Sequence, residues 1–210
     1  MDSSGREETL GKVCAMGKIF YIMGKSASGK DHIYARLMKQ EDLHLQKIVM
    51  YTTRPLRDGE KSGREYFFVD EEKLQEFEQT GKLIENRAYH TVHGIWNYFT
   101  ADDGQIDPDQ ADYLGIGTLE SYVKLKNYYG EQVLVPIYLQ VEAGELLTRA
   151  LTREKKQETP KYAEMCRRFL ADEADFSEEN IKAAGISRRF ENVVFDDCAE
   201  EIIKYIKSMQ

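Results

Sequence analysis

The run Gly24-Lys25-Ser26-Ala27-Ser28-Gly29-Lys30-Asp31 constrains this chain more than any other stretch. An apolar segment, Ile19-Phe20-Tyr21-Ile22-Met23, precedes it and reads as a buried strand. A helical pattern follows, with Ile33, Tyr34, Leu37 and Met38 on one face. Strand, glycine loop, lysine and helix, in that order, make a cradle for phosphates. Backbone N–H groups converge at a helix N-terminus, where the dipole favours negative charge. Gly24 and Gly29 let the backbone approach oxygens that a Cβ would exclude. Lys30 adds a point charge for the terminal phosphates. The segment therefore predicts binding of a nucleoside triphosphate. After the lysine such loops usually carry a hydroxyl that touches Mg²⁺. Here that residue is Asp31, whose carboxylate is also a hard oxygen ligand, so Asp31 is the candidate Mg²⁺ contact.

The remaining composition narrows the class. A chain of 210 residues suffices for one sizeable core with small inserted subdomains. Its net charge of −8 disfavours nucleic acid and anionic membranes as partners. No apolar run approaches the length of a membrane span. Three scattered cysteines, Cys14, Cys166 and Cys198, form no C-x-x-C pair, which fits a reducing cytoplasm and neither a disulfide framework nor a zinc site. Residues 1–17 show no apolar h-region and no periodicity. They read as a disordered leader, with Met1 and Met16 both standing as candidate starts.

Along the chain, Ile48-Val49-Met50-Tyr51 reads as a second strand and Tyr66-Phe67-Phe68-Val69 as another. Asp70 caps a short helix that Gly81 ends, and Leu83-Ile84-Glu85 opens a β segment running toward Phe99. Residues 101–112, with five aspartates, read as an exposed loop whose spacing fits no EF-hand. A helix over 118–129 and a continuous apolar strand over 133–139 follow. Residues 145–153 read as a helix, Thr159-Pro160 as the cap and first position of the next, and Ser177 as the cap of a third. Asn192-Val193-Val194-Phe195 reads as the last strand, before a helix marked by Ile202, Ile203 and Ile206. Strands alternating with helices predict an α/β fold on a parallel sheet, with ligands at the carboxyl ends of its strands.

At this point the chain resembles the guanylate kinases. The specific part is Tyr51-Thr52-Thr53-Arg54-Pro55-Leu56-Arg57-Asp58-Gly59-Glu60, followed by Gly63-Arg64-Glu65-Tyr66-Phe67-Phe68-Val69. The family carries a T-T-R-x-x-R-x-G-E block and then G-x-x-Y-x-F at this distance after the phosphate loop. The resemblance implies the fold of a P-loop nucleoside monophosphate kinase: a parallel core, a small mixed-β acceptor-binding insert and a helical lid. It assigns the core to 18–50 and 113–210, the lid to about 151–161 and the insert to 51–112. It also implies phosphoryl transfer from ATP to GMP or dGMP with Mg²⁺, in purine nucleotide metabolism, by a monomer or homodimer in the cytoplasm.

Residue by residue, the resemblance gives Arg54, Arg57 and Tyr66 to the acceptor phosphate, with Thr53 beside them. Arginine forks and a phenol suit phosphate oxygens. Glu85, in Leu83-Ile84-Glu85, would read guanine, because one carboxylate accepts both N1–H and the exocyclic amine. Tyr98 and Thr100 fall where the family has a phosphate-contacting tyrosine and a base-contacting hydroxyl. Arg149-Ala150-Leu151-Thr152-Arg153 resembles the R-L-x-x-R lid signature, and Arg167-Arg168-Phe169 the later K/R-R-L element. These imply Arg153 and Arg168, beside Lys30 and Arg57, as the charges around the moving phosphoryl group, with Arg149 on the ATP side. The chain departs from the family at four places. Met50 replaces a serine, Phe99 a glycine, Gly115 or Gly117 an acidic residue, and Phe195-Asp196-Asp197 the asparagine that ends the last strand. Asp112 and Glu120 are the acidic neighbours available to compensate. The four histidines, His32, His44, His90 and His93, have no metal-ligand spacing and receive no role. Two other readings stay open: a kinase of this fold for a different nucleotide or small phosphorylated acceptor, and a noncatalytic guanylate-kinase-like binding module.

Overall fold

The structure, a computed structural model, describes residues 16–91 and 94–210. The expected leader over its first 15 residues, the Met1 start, Cys14 and His93 lie outside the described residues. The chain opens with β1 (Ile19–Gly24) and α1 (Lys30–Leu37), then β2 (Leu45–Lys47), β3 (Tyr51–Thr52) and β4 (Phe67–Phe68). Next come α2 (Glu71–Gln79), β5 (Leu83–Thr91), β6 (Gly94–Ala101), β7 (Asp112–Gly117) and α3 (Leu119–Tyr129). The second half runs β8 (Leu134–Gln140), α4 (Ala143–Glu154), α5 (Tyr162–Asp175), α6 (Glu178–Ala183), β9 (Arg189–Glu191) and α7 (Phe195–Met209).

Two sheets result. The first is parallel throughout, in the order β2-β7-β1-β8-β9. Its middle strand, β1, is buried on both faces, which is why its sequence is an unbroken apolar run. Alternation sends Phe20 and Ile22 toward α1 and α7, with Ile33, Leu37, Ile202 and Ile206. It sends Ile19, Tyr21 and Met23 the other way, against Tyr122 and Leu125 of α3 and Ile181 of α6. The second sheet, β4-β3-β6-β5, is mixed, with β3 parallel to β4 and antiparallel to β6. Its own small core joins Tyr51, Leu74, Phe77 and Phe99. Phe99 is fully buried and stacks on Tyr51 at 5.1 Å between ring centroids. A bulky residue at this family glycine position thus serves packing.

Helix starts follow local capping chemistry. Asp70, Thr118 and Ser177 accept the backbone N–H of Lys73, Ser121 and Asn180. Three expectations need correction. Residues 48–50 lie in no strand; the segment splits into β2 before them, on the core sheet, and β3 after them, on the second sheet. Thr159-Pro160 does not cap α5, which begins at Tyr162; the Lys161 N–H goes to the Glu154 carboxylate. The last strand lies at β9, three residues earlier than expected. Val193-Val194-Phe195 is apolar but exposed, and Val193 is 72% exposed, so the run reads as a strand without being one.

Candidate functional site

The loop between β1 and α1 sits at the carboxyl end of the central strand. Ala27 (φ 64°) and Gly29 (φ 88°) both take left-handed backbone, so that the chain doubles back into α1. A Cβ at Gly24 would lie 2.8 Å from Ser28 Oγ and 2.9 Å from the Leu139 carbonyl oxygen. The expected glycine requirement therefore has a steric basis at both positions. Asn192, directly after β9, donates from Nδ2 to the Ser28 carbonyl at 2.8 Å, and its own carbonyl accepts from Arg149 at 2.9 Å. An asparagine thus directly follows the last strand, which corrects the assignment to Phe195-Asp196-Asp197. The misplaced strand had hidden it.

Two carboxylates from α5 reach this loop. Asp172 Oδ2 accepts the Ser26 backbone N–H at 2.6 Å, and Glu173 Oε1 pairs with Lys25 Nζ at 2.7 Å. An anion already sits where loop N–H groups would meet phosphate oxygens. Nearby, burial and then Asp172 raise the Asp175 carboxyl above its ordinary value. Lys30 is half-buried and Asp31 exposed in the first turn of α1. Arg153, in the last turn of α4, is exposed. Arg168 is also exposed and shares Glu164 with Arg167. Of the expected arginines on this side, only Arg149 is joined to the loop, through Asn192.

A second cluster lies on one face of the mixed sheet. Arg54 is 4% exposed, and its guanidinium forks onto Glu60 at 2.6 and 2.7 Å. It lies 5.3 Å from the Tyr66 ring centre, and Tyr66 meets Tyr98 edge-on at 5.5 Å. The Arg54 pairing, together with the Arg57 backbone N–H, pulls the Glu60 carboxyl down to about 2. Thr53 Oγ1 accepts the Asn97 N–H at 3.0 Å and fixes β3 against β6. The structure therefore brings together Thr53, Arg54, Tyr66 and Tyr98. Arg57 stays apart, its side chain in solvent.

Further along the same face, β5 and β6 pair Glu85 with Thr100 and Arg87 with Tyr98. Glu85 is fully enclosed. Thr100 donates to Oε1 at 3.1 Å, Ser121 of α3 donates to Oε2 at 2.9 Å, and Arg87 Nε lies 3.3 Å from Oε2. Tyr21 fills the space over the two departing glycines: a Cβ at Gly115 would meet its ring at 2.7 Å, and one at Gly117 would overlap its hydroxyl. Burial, then Glu85, push the Tyr21 hydroxyl well above the ordinary phenol value. Asp112 and Glu120, the expected compensating acids, do other work. Asp112 accepts the Lys18 N–H at the opposite end of the sheet, and Glu120 pairs with Lys124 in solvent. The sequence reading missed Tyr21, Arg87, Ser121 and Asp172. Only the glycines opposite Tyr21 carried a signal.

A phosphate loop on the central strand of a parallel sheet, with an arginine-bearing mixed sheet beside it, defines the fold class of the P-loop nucleoside monophosphate kinases. The crystal structure of guanylate kinase from Anaplasma phagocytophilum superposes with a TM-score of 0.65 at 20% identity, over 93% of this chain and 87% of that one; this likeness speaks for the fold. The guanylate kinase family model matches residues 16–96. The guanylate kinase of a Polaromonas species is 30% identical over 180 residues, 86% of this chain and 84% of that protein. That of Nitrosomonas europaea is 36% identical over 75 residues, and the match spans only 37% of its length. The chain belongs to the guanylate kinase family.

Proposed function

We propose that this chain transfers the terminal phosphoryl group of ATP to GMP or dGMP, giving ADP and GDP. The observation that carries the reading is the Arg54 fork, held by Glu60 and flanked by Tyr66 and Tyr98, in a chain that also keeps the loop lysine. A buried arginine with this anchoring presents its remaining donors to an acceptor phosphate. The mixed sheet within 51–112 is the acceptor-binding insert, and residues 151–161 with the following helix are the lid. Closing them excludes water that would otherwise hydrolyse ATP.

On the donor side, Gly24 to Lys30 hold the β- and γ-phosphates of ATP, and Arg149 steadies the loop through Asn192. Arg57 and Arg153, exposed to solvent, and Arg168, on leaving Glu164, swing in to meet charge on the moving group. Phosphoryl transfer of this kind needs positioning more than a general base, so the histidines stay out of it. Among the described residues, no group of three or more His, Cys, Asp or Glu is placed to hold a metal ion. Asp31, exposed and without an ion pair among the described residues, suits a Mg²⁺ held mainly by the nucleotide's phosphates. Bound there, the ion would neutralise charge on the phosphate oxygens. Cys166 and Cys198 are free thiols, which fits a cytoplasmic enzyme. Among the described residues no helix is long and apolar enough to cross a membrane.

The test is ADP formation from ATP and Mg²⁺ with GMP, dGMP, AMP, CMP and UMP in parallel. Clear preference for GMP or dGMP is the expected result. Turnover with another base alone, or none with any, overturns the reading.

A further inference from the structure

Arg87 has no counterpart in the motif reading, yet it stands beside Glu85, the carboxylate that the family resemblance gives to guanine. Its Nε lies 3.3 Å from Glu85 Oε2, and none of the Glu85 side chain reaches solvent. A carboxylate taken out of water without a counter-charge is strongly disfavoured and takes up a proton instead.

The two meet without a hydrogen bond. Arg87 Nε is buried and has no hydrogen-bond partner, and one Nη reaches the Met50 sulfur, a weak acceptor, at 3.6 Å. Two hydroxyls orient Glu85 instead. Thr100 of β6 donates to Oε1 at 3.1 Å, and Ser121 of α3 donates to Oε2 at 2.9 Å. An ionised carboxylate offers about four lone-pair sites. One on each oxygen is taken, and one on each is left for the adjacent donors of guanine, N1–H and the exocyclic amine. Arg87 supplies charge and leaves those lone pairs open.

The other surroundings bring no second charge to Glu85. Tyr21 of β1 is the other titratable group that faces it. Burial, then Glu85, hold the Tyr21 hydroxyl well above the ordinary phenol value, so it stays neutral. On α3, Lys124 is spent on Glu120 and the Asn86 carbonyl. On β7, Gly115 and Gly117 meet the Tyr21 side chain.

We infer that Arg87 is the counter-ion that keeps the buried Glu85 ionised, and so able to accept from guanine. A protonated Glu85 turns one acceptor into a donor, which would face the N1–H with a like group. A guanidinium suits the task because burial does not deprotonate it, whereas a buried lysine loses its proton readily. Arg87 is thus a positioning residue that acts through the charge on Glu85. The inference rests on the GMP reading above and deepens it by naming what maintains the base-reading carboxylate.

The experiment is the pH dependence of kcat/KM for GMP, from about pH 5 to 9, with the full chain and with Arg87→Met, Arg87→Lys, Glu85→Gln and the Arg87→Met, Glu85→Gln double variant. Circular dichroism and Tm establish that each variant folds across that range. GMP turnover by the unaltered chain comes first; its absence overturns the function and this inference together. The phosphate of GMP titrates at about pH 6 in every case, so the readout is the ratio of variant to unaltered kcat/KM at each pH. Without its counter-ion, Glu85 takes up a proton at a higher pH than before. The Arg87→Met ratio is therefore expected to fall as pH falls, by about ten- to a hundredfold between the two ends and chiefly through KM. Lysine restores the charge and should remove most of that slope. In the Glu85→Gln background Arg87→Met should add no slope, because an amide does not titrate. A flat Arg87→Met ratio overturns the inference, since a constant loss marks a packing role or a direct contact with the acceptor. An undiminished slope in the Glu85→Gln background also overturns it, by placing the titration elsewhere. In both cases GMP turnover by the unaltered chain leaves the function standing. Should Arg87→Met fail to fold, Arg87→Gln, polar and uncharged, is read by the same ratio.

Discussion

Glu60 controls what Arg54 can do, and the pair gives a pH signature. The ordinary glutamate value is 4.5; in the fold the carboxyl stands near 2, because Arg54 and then the Arg57 backbone N–H bond its charged form. A depressed carboxyl contributes stability above its unfolded value and loses it as pH falls toward the folded one. Stability should therefore drop between pH 4.5 and 2, and Glu60→Gln should flatten that part of a Tm-against-pH curve. At neutral pH the same variant should raise KM for GMP about tenfold, since the fork loses its charged anchor. Lys30→Ala is the complementary test. A loop lysine packs little, so Tm should hold while kcat falls by about a hundredfold or more. Lys30 and Arg54 were legible because their motifs are contiguous; Glu60 stood in the same block as Arg54 but received no role from the sequence. Arg87 was not legible: its meaning depends on Glu85, Ser121 and Tyr21 meeting in space, and period-two alternation along β5 says only that Arg87 shares a face with Glu85.

Helix α5 does two jobs at once, and they compete. It carries Arg168, proposed above for the transfer step, and it docks on the loop after β1 through Asp172 and Glu173. The Asp172 carboxylate takes the Ser26 N–H, so a nucleotide bound as proposed would have to displace it. Removing that charge should favour the nucleotide. Asp172→Asn is expected to lower KM for ATP by up to about tenfold, the scale of one charge-assisted hydrogen bond. A KM equal to that of the unaltered chain would show that the contact yields without cost. Elements were readable where burial and apolar content agree. β1 and β8 are continuous apolar runs inside the sheet, and both stood out. β9 did not, because Arg189-Phe190-Glu191 buries only Phe190, whereas the neighbouring apolar residues 193–195 face water. That displacement also hid Asn192, whose amide braces the phosphate loop. The core of the fold was thus legible from pattern, and its short edge strands were not.

At the scale of the molecule, the mixed sheet meets the parallel core along a polar seam. Ser121 of α3 reaches Glu85, Lys124 reaches the Asn86 carbonyl, and Gln105 takes the Val49 N–H. One apolar side chain of the mixed sheet, Ile84 of β5, crosses the seam to pack against the core cluster beside α3; the second core cluster lies on the other face of the parallel sheet, and the third stays within the mixed one. Polar seams yield more readily than apolar ones, so the sheets can approach each other when substrates bridge them. Bridging would couple the two nucleotides energetically. One ligand at a hundred times its Kd stabilises by about 2.7 kcal/mol, which is about 5–10 °C in Tm for a chain of this length. If each nucleotide bound a rigid half, GMP and a nonhydrolysable ATP analogue would raise Tm by the sum of their separate effects. Closure across the seam predicts more than the sum, because the second ligand no longer carries the cost of bringing the sheets together. A thermal titration with each ligand alone and both together reads this directly: an excess shift supports closure, and strict additivity means that the two sites act without it.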